Sequence, residues 1–148
     1  MKTILKFILP VLFLSFYSSC KKDENIISAI PLIEFISVGP SQFIEYQSTL
    51  TFTISYRDGD GNLGENNPDV TNLFLTDNRN NVTYKYRVQQ LAPEGSSIAI
   101  EGKLNIVLNN TGITDNSNSQ TFTYSIYLVD RAGNTSNTVT TSAVTVTK

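Results

Sequence analysis

Leu50, Phe52, Ile54 and Tyr56 alternate with Thr49, Thr51, Thr53 and Ser55. An α-helix, at about 3.6 residues per turn, cannot collect a period of two on one face, so this stretch is predicted to be a half-buried strand. The pattern recurs at Val82, Tyr84, Tyr86 and Val88, then at Ile98, Ile100, Leu104, Ile106 and Leu108 with Gly102 on the same parity, then at Phe122, Tyr124, Ile126 and Leu128. Shorter runs at Leu32 to Val38 and Asn72 to Thr76, with a Thr/Val run from Thr138 to Thr147, bring the expected strands to seven. Within the last run the apolar parity switches between Val139 and Val144, which predicts a bulge or kink inside one strand. The breaks carry turn chemistry: Gly39-Pro40-Ser41, Asp58 to Pro68, Asp77 to Asn81, Pro93-Glu94-Gly95, Asn109 to Ser119 and Arg131 to Asn134. Thr, Ser, Asn and β-branched residues dominate, a composition that suits strands and turns and competes poorly for helix.

The first twenty residues follow a different rule. Lys2 and Lys6 form a basic start, Phe7 to Tyr17 are apolar except for Pro10 and Ser15, and the small Ser18 and Ser19 precede Cys20. This is the three-part pattern of a cleaved secretory signal, too short to span a bilayer. Tyr17-Ser18-Ser19-Cys20 resembles the lipobox of Gram-negative lipoproteins, with Tyr17 where that motif usually has Leu. The resemblance implies that residues 1–19 are removed and that Cys20 becomes a lipid-bearing N-terminus anchored in the membrane. The lone cysteine has no disulfide partner. Acyl chains anchor strongly, because each buried CH₂ contributes about 0.8 kcal/mol. Lys21-Lys22-Asp23-Glu24 is similar to a surface-export signal of some Gram-negative lipoproteins, and reads equally as a solvated linker. Lys21 rather than Asp after the cysteine implies, by the family's sorting rule, delivery to the outer membrane.

Residues 20–30 read as a lipidated tether, leaving 31–148 for one domain. The fold class expected is all-β. Short strands at near-regular spacing match a seven-stranded antiparallel immunoglobulin-like sandwich, with a closed barrel as the runner-up. The antibody-type Cys…Trp…Cys signature is absent, since the chain has no Trp and one Cys. The stretch Leu128-Val129-Asp130-Arg131-Ala132-Gly133-Asn134-Thr135-Ser136 resembles the penultimate-strand turn of bacterial Ig-like and cadherin-like modules, which implies that same sandwich.

Function is constrained mainly by exclusion. The chain has no His, its only cysteine is committed to the lipid, and neither a Gly-x-Ser-x-Gly elbow nor a phosphate loop occurs. No enzyme is expected. Loss of Lys2 and Lys6 leaves nine basic against 13 acidic residues, net −4, which argues against a nucleic-acid partner.

Two constellations are candidates for binding. In Asp58-Gly59-Asp60-Gly61-Asn62-Leu63-Gly64-Glu65-Asn66-Asn67-Pro68-Asp69, oxygen-bearing side chains recur at every second residue at first. Asp58, Asp60, Asn62, Asn66 and Asp69 fall at places 1, 3, 5, 9 and 12 of an EF-hand-like calcium loop, although Leu63 stands where such loops have Gly and a strand precedes it. The alternative is a wide turn that uses Gly and Asn for positive φ. In an Ig-like sandwich this connection shares an end with Asp130 to Asn134, so Asp58, Asp60, Asn62, Asp69, Asp130 and Asn134 are the expected calcium ligands. The second candidate is an outward patch. Phe74 and Tyr127 lie on the parity opposite Leu73/Leu75 and Ile126/Leu128, with Lys85 and Arg87 expected on the adjacent strand. The expected function is a lipid-anchored, non-catalytic envelope module for adhesion, surface-complex assembly or scaffolding, with a protein or glycan ligand. A carbohydrate-binding accessory lipoprotein is the alternative, disfavoured by the lack of Trp.

Overall fold

The computed structural model describes residues 27–148. The leader 1–19, Cys20, the Lys21–Glu24 tract and most of the tether lie outside the described residues. What is described is all-β: β1 (Leu32–Gly39), β2 (Gln42–Ile44), β3 (Leu50–Asp58), β4 (Leu73–Asp77), β5 (Val82–Tyr86), β6 (Ile100–Leu108), β7 (Ser119–Phe122), β8 (Tyr124–Leu128), β9 (Val139–Thr140) and β10 (Val144–Thr147).

Ten strands thus replace the seven that alternation predicts, for three identifiable reasons. Beyond Gly39-Pro40 the chain leaves β3 and adds β2 parallel to β10, a segment too short to show a period. The expected strand through Phe122–Leu128 is divided at Thr123, whose carbonyl accepts the Asn78 N–H at 3.2 Å from the turn after β4. The final run is divided where its parity switches. There the Thr141 hydroxyl takes the Tyr124 N–H at 3.0 Å while the Thr141 N–H donates to the Tyr124 carbonyl at 2.9 Å. A side chain standing in for a ladder carbonyl ends regular pairing without changing the direction of either chain.

The strands form three sheets, in the orders β1-β3-β6, β2-β10-β7 and β5-β4-β8-β9. All neighbours are antiparallel except β2 and β10. Because β7 continues into β8 and β9 into β10, the last two sheets are stretches of one surface that faces β1-β3-β6. Between them lies a single core in which Leu50, Phe52 and Ile54 of β3 meet Leu75, Tyr124, Ile126, Leu128, Val144 and Val146, all inaccessible to solvent. Phe52 meets the Tyr124 ring edge-on, centroids 4.9 Å apart at 75°, the geometry that ring quadrupoles favour. Full burial of a side chain of this size stabilises by about 1.5–3 kcal/mol, which is why the even-numbered positions of β3 fix its face. The arrangement is compatible with a β-sandwich.

This topology brings three segments to one end. Leu73 pairs with Leu128, so the connection leaving β3 and the turn leaving β8 emerge side by side. The Arg131 N–H donates to the Asn62 carbonyl at 3.3 Å and joins the two. The start of the described chain arrives there as well, where the Ser28 carbonyl accepts the Gly59 N–H at 2.8 Å.

Candidate functional site

Asp58 is the last residue of β3 and keeps the parity of Ile54 and Tyr56, so its carboxyl falls on the core side and is fully buried. Its Oδ2 accepts the Leu63 N–H at 2.9 Å, and its Oδ1 has no hydrogen-bond partner. Asp60, two residues on, is half-buried and accepts from Asn62 twice, from the N–H at 3.4 Å and from Nδ2 at 2.8 Å. That leaves Asn62 Oδ1 buried and without a partner. The Asp60 carboxyl lies within hydrogen-bonding reach of Asp58. Burial pushes the Asp58 pKa up, the Leu63 N–H pulls against it, and the charges of Asp60 and Asp130 push it further up.

The loop is plugged into the protein by Leu63, which is fully buried and explains why Gly is not found there. Gly61 has φ +71°, and a Cβ on it would lie 2.4 Å from the Ile98 carbonyl oxygen. The loop thus uses the positive φ expected of a wide turn at Gly61 and Gly64, and the same loop carries the polar cluster.

The other expected ligands are placed differently. Asp130 is buried, but its carboxylate closes on its own turn, accepting the Asn134 N–H at 2.7 Å and Asn134 Nδ2 at 2.8 Å. Asp69 is exposed, and no hydrogen bond joins its side chain to Asp58, Asp60 or Asn62 among the described residues. Neither nearby arginine pairs with the acids. Arg57 reaches Glu34 at 3.5 Å across β1, and Arg131 donates to the Gly64 carbonyl at 2.9 Å. Among the described residues no three Asp, Glu, His or Cys side chains form a group able to hold a metal, so any ligand set here would need amide, carbonyl or water oxygens as well.

The outward patch is built across β5, β4 and β8. Phe74 pairs with Tyr127 on one side and Lys85 on the other, which sets the three in one row. The two rings stack at 4.6 Å with 10° between their planes, so each shields one face of the other, and both residues are half-buried. Arg87 lies beyond the end of β5 and is turned away from the row, donating to the Glu65 carbonyl at 3.0 Å and the Asn66 carbonyl at 3.3 Å. It serves the acidic loop, not the aromatic row.

Sequence reasoning passed over Arg79. Its guanidinium grips the buried Asp77 with Nη2–Oδ2 at 2.6 Å, donates to the Gly112 carbonyl and Gln120 Oε1 at 2.9 Å each, and lies 3.4 Å from the centre of the Phe122 ring. Asp77 shares the parity of Leu73 and Leu75, and that was the available signal; the Asp-Asn-Arg-Asn-Asn composition masked it as a plain turn. A groove of about 420 Å³ opens between β5 and β6, lined mainly by Leu73, Tyr86, Val88, Leu91, Leu104 and Ile106. Its lining contains no acid, histidine or thiol to act on a substrate. No protein family, curated protein or solved structure matches the chain.

Proposed function

We propose that this chain is an exported, lipid-anchored and non-catalytic envelope module, an Ig-like sandwich held at the outer membrane through Cys20, which binds a protein partner with its outward aromatic row. The observation that carries the binding reading is the Phe74–Tyr127 stack with Lys85 beside it on a solvent-facing sheet. Rigid aromatic area gives large contact at small conformational-entropy cost, and aromatic residues are enriched at protein interfaces. The anchor rests on the signal pattern that ends in Tyr17-Ser18-Ser19-Cys20. The absence of His from the chain and the acid-free groove support a non-catalytic role.

The glycan-binding alternative is favoured by the presence of two adjacent aromatics. Sugar stacking needs an open ring face, and the stack leaves at most the outer face of each ring for it, without the Trp that usually serves as the platform. A protein partner therefore suits the row better.

Two measurements test the reading. Cys20→Ser is expected to lose lipid labelling and move from the membrane to the soluble fraction; unchanged partitioning would refute the anchor. For the surface, a photo-crosslinking residue at the exposed Thr83, one outward position from Lys85, is expected to trap an envelope protein in intact cells, and Tyr127→Ala should abolish that adduct. An array of envelope glycans bound by the wild-type chain and not by Tyr127→Ala would decide for the sugar.

A further inference from the structure

Two aspartates of this domain have buried carboxyls at strand ends, and they are treated in opposite ways. Asp77 receives a guanidinium on both oxygens, at 3.0 Å and 2.6 Å. Asp58 receives one backbone N–H, with a second carboxyl rather than a cation beside it. Burying a carboxylate without a counter-charge is expensive, and placing another acid against it makes it more so. The loop has access to arginines but does not use them here: Arg57, Arg87 and Arg131 are engaged with Glu34 and with backbone carbonyls.

Two oxygens of this loop are left buried without a donor, on residues that flank Asp60. Asp58 Oδ1 is fully buried and unpartnered, and Asn62 Oδ1, two residues past Asp60, is likewise buried without a donor. A proton shared between the two acids would neutralise one charge but would leave the Asn62 oxygen unsatisfied. A hard cation satisfies carboxylate and amide oxygens together.

We propose that Asp58, Asp60 and Asn62 form a calcium site at the end of β3, completed by carbonyl or water oxygens. Calcium accepts mixed carboxylate and amide oxygens in flexible geometry, whereas magnesium demands near-octahedral order and gives up water reluctantly. Asp130 adds negative field from the adjacent turn while its own oxygens stay on Asn134. Asp69 takes no part. The site adjoins Gly59, on which a Cβ would lie 2.1 Å from the Ile27 carbonyl oxygen. Calcium therefore braces the place where the N-terminal segment docks onto the domain. The site is independent of the partner surface proposed above, because it lies at the end of the sheets and not on their outward face.

The test is thermal unfolding of the full chain in 10 mM CaCl₂ against chelator, with calcium calorimetry alongside. With two carboxylates the affinity expected is that of extracellular modules, about 10⁻⁴ to 10⁻³ M. Calcium should then raise the Tm by roughly 5–10 °C. Asp58→Asn should abolish the shift; should that variant not fold, Asp60→Asn, at a half-exposed position, carries the same expectation. Asn62→Asp adds a third carboxylate and should lower the Tm in chelator while lowering the calcium concentration that gives half the shift. Asp69→Asn should leave the response intact. Identical melting with calcium and with chelator, together with no heat of binding, would overturn the site. So would a response that survives Asp58→Asn and disappears with Asp69→Asn.

Discussion

The contrast between Asp77 and Asp58 shows how much one side chain's partner decides. Asp77 is 1 % exposed and Arg79 10 %, so their pairing takes place largely out of water, where removing one member leaves an uncompensated charge. Arg79→Leu is expected to destabilise the domain by about 3–5 kcal/mol, measured by urea unfolding. Asp77→Asn/Arg79→Leu should recover a good part of that loss, because the stranded charge is gone. Strict additivity of the two single changes would mean that the pair is not coupled. Both buried acids were within reach of the sequence, since Asp58 continues the parity of Leu50 to Tyr56 and Asp77 that of Leu73 and Leu75. Their polar type and Gly- or Asn-rich surroundings made each read as the first residue of a turn. What parity could not supply was the partner: Arg79 and Gln120 are 41 residues apart, and only the closed sheets bring them together.

At the scale of elements, the all-β class and the core faces of β3, β4 and β8 were legible because alternation reports side-chain direction directly. Pairing was not, because it depends on which backbone groups are satisfied and by what. Phe122, Tyr124, Ile126 and Leu128 alternate without interruption across Thr123, so nothing in the pattern records that the β7 stretch pairs with β10 while β8 pairs with β4 and β9. β2 was invisible for the opposite reason, as Gln42–Ile44 holds only one core residue, Phe43. The boundary of the domain carries a consequence that can be measured. Residues 27 and 28 already lie on Gly59, within the segment that reads as free tether. Gly59→Ala drives a methyl group into backbone and should cost about 1–3 kcal/mol. It should also speed protease cleavage at Lys21 and Lys22 relative to the wild-type chain. Unaltered cleavage kinetics would show that this docking does not protect the N-terminal segment.

For the whole molecule, the question is which aromatics hold the domain together and which are available to a partner. Phe52 touches Tyr124 from the opposite sheet and is fully buried, so Phe52→Ala opens a cavity at the centre of the core. A loss of about 3–5 kcal/mol is expected. Phe74 and Tyr127 stack on each other outside the core, where no second layer covers them among the described residues. Their mutual contact is worth about 0.5–1.5 kcal/mol beyond the area that each half-buried ring covers, so Phe74→Ala/Tyr127→Ala should cost somewhat more than that, stay below the Phe52→Ala loss and keep a cooperative unfolding transition. Comparing Phe52→Ala with the outward pair by urea unfolding separates the two roles, because full burial within the core and half-buried stacking on the surface predict different losses. An outward pair as costly as Phe52 would mean that these rings are a second core and that the sheet face they occupy is closed to any partner. A loss below that of Phe52→Ala leaves the row free to be judged by binding alone, with the fold intact in the variant that tests it.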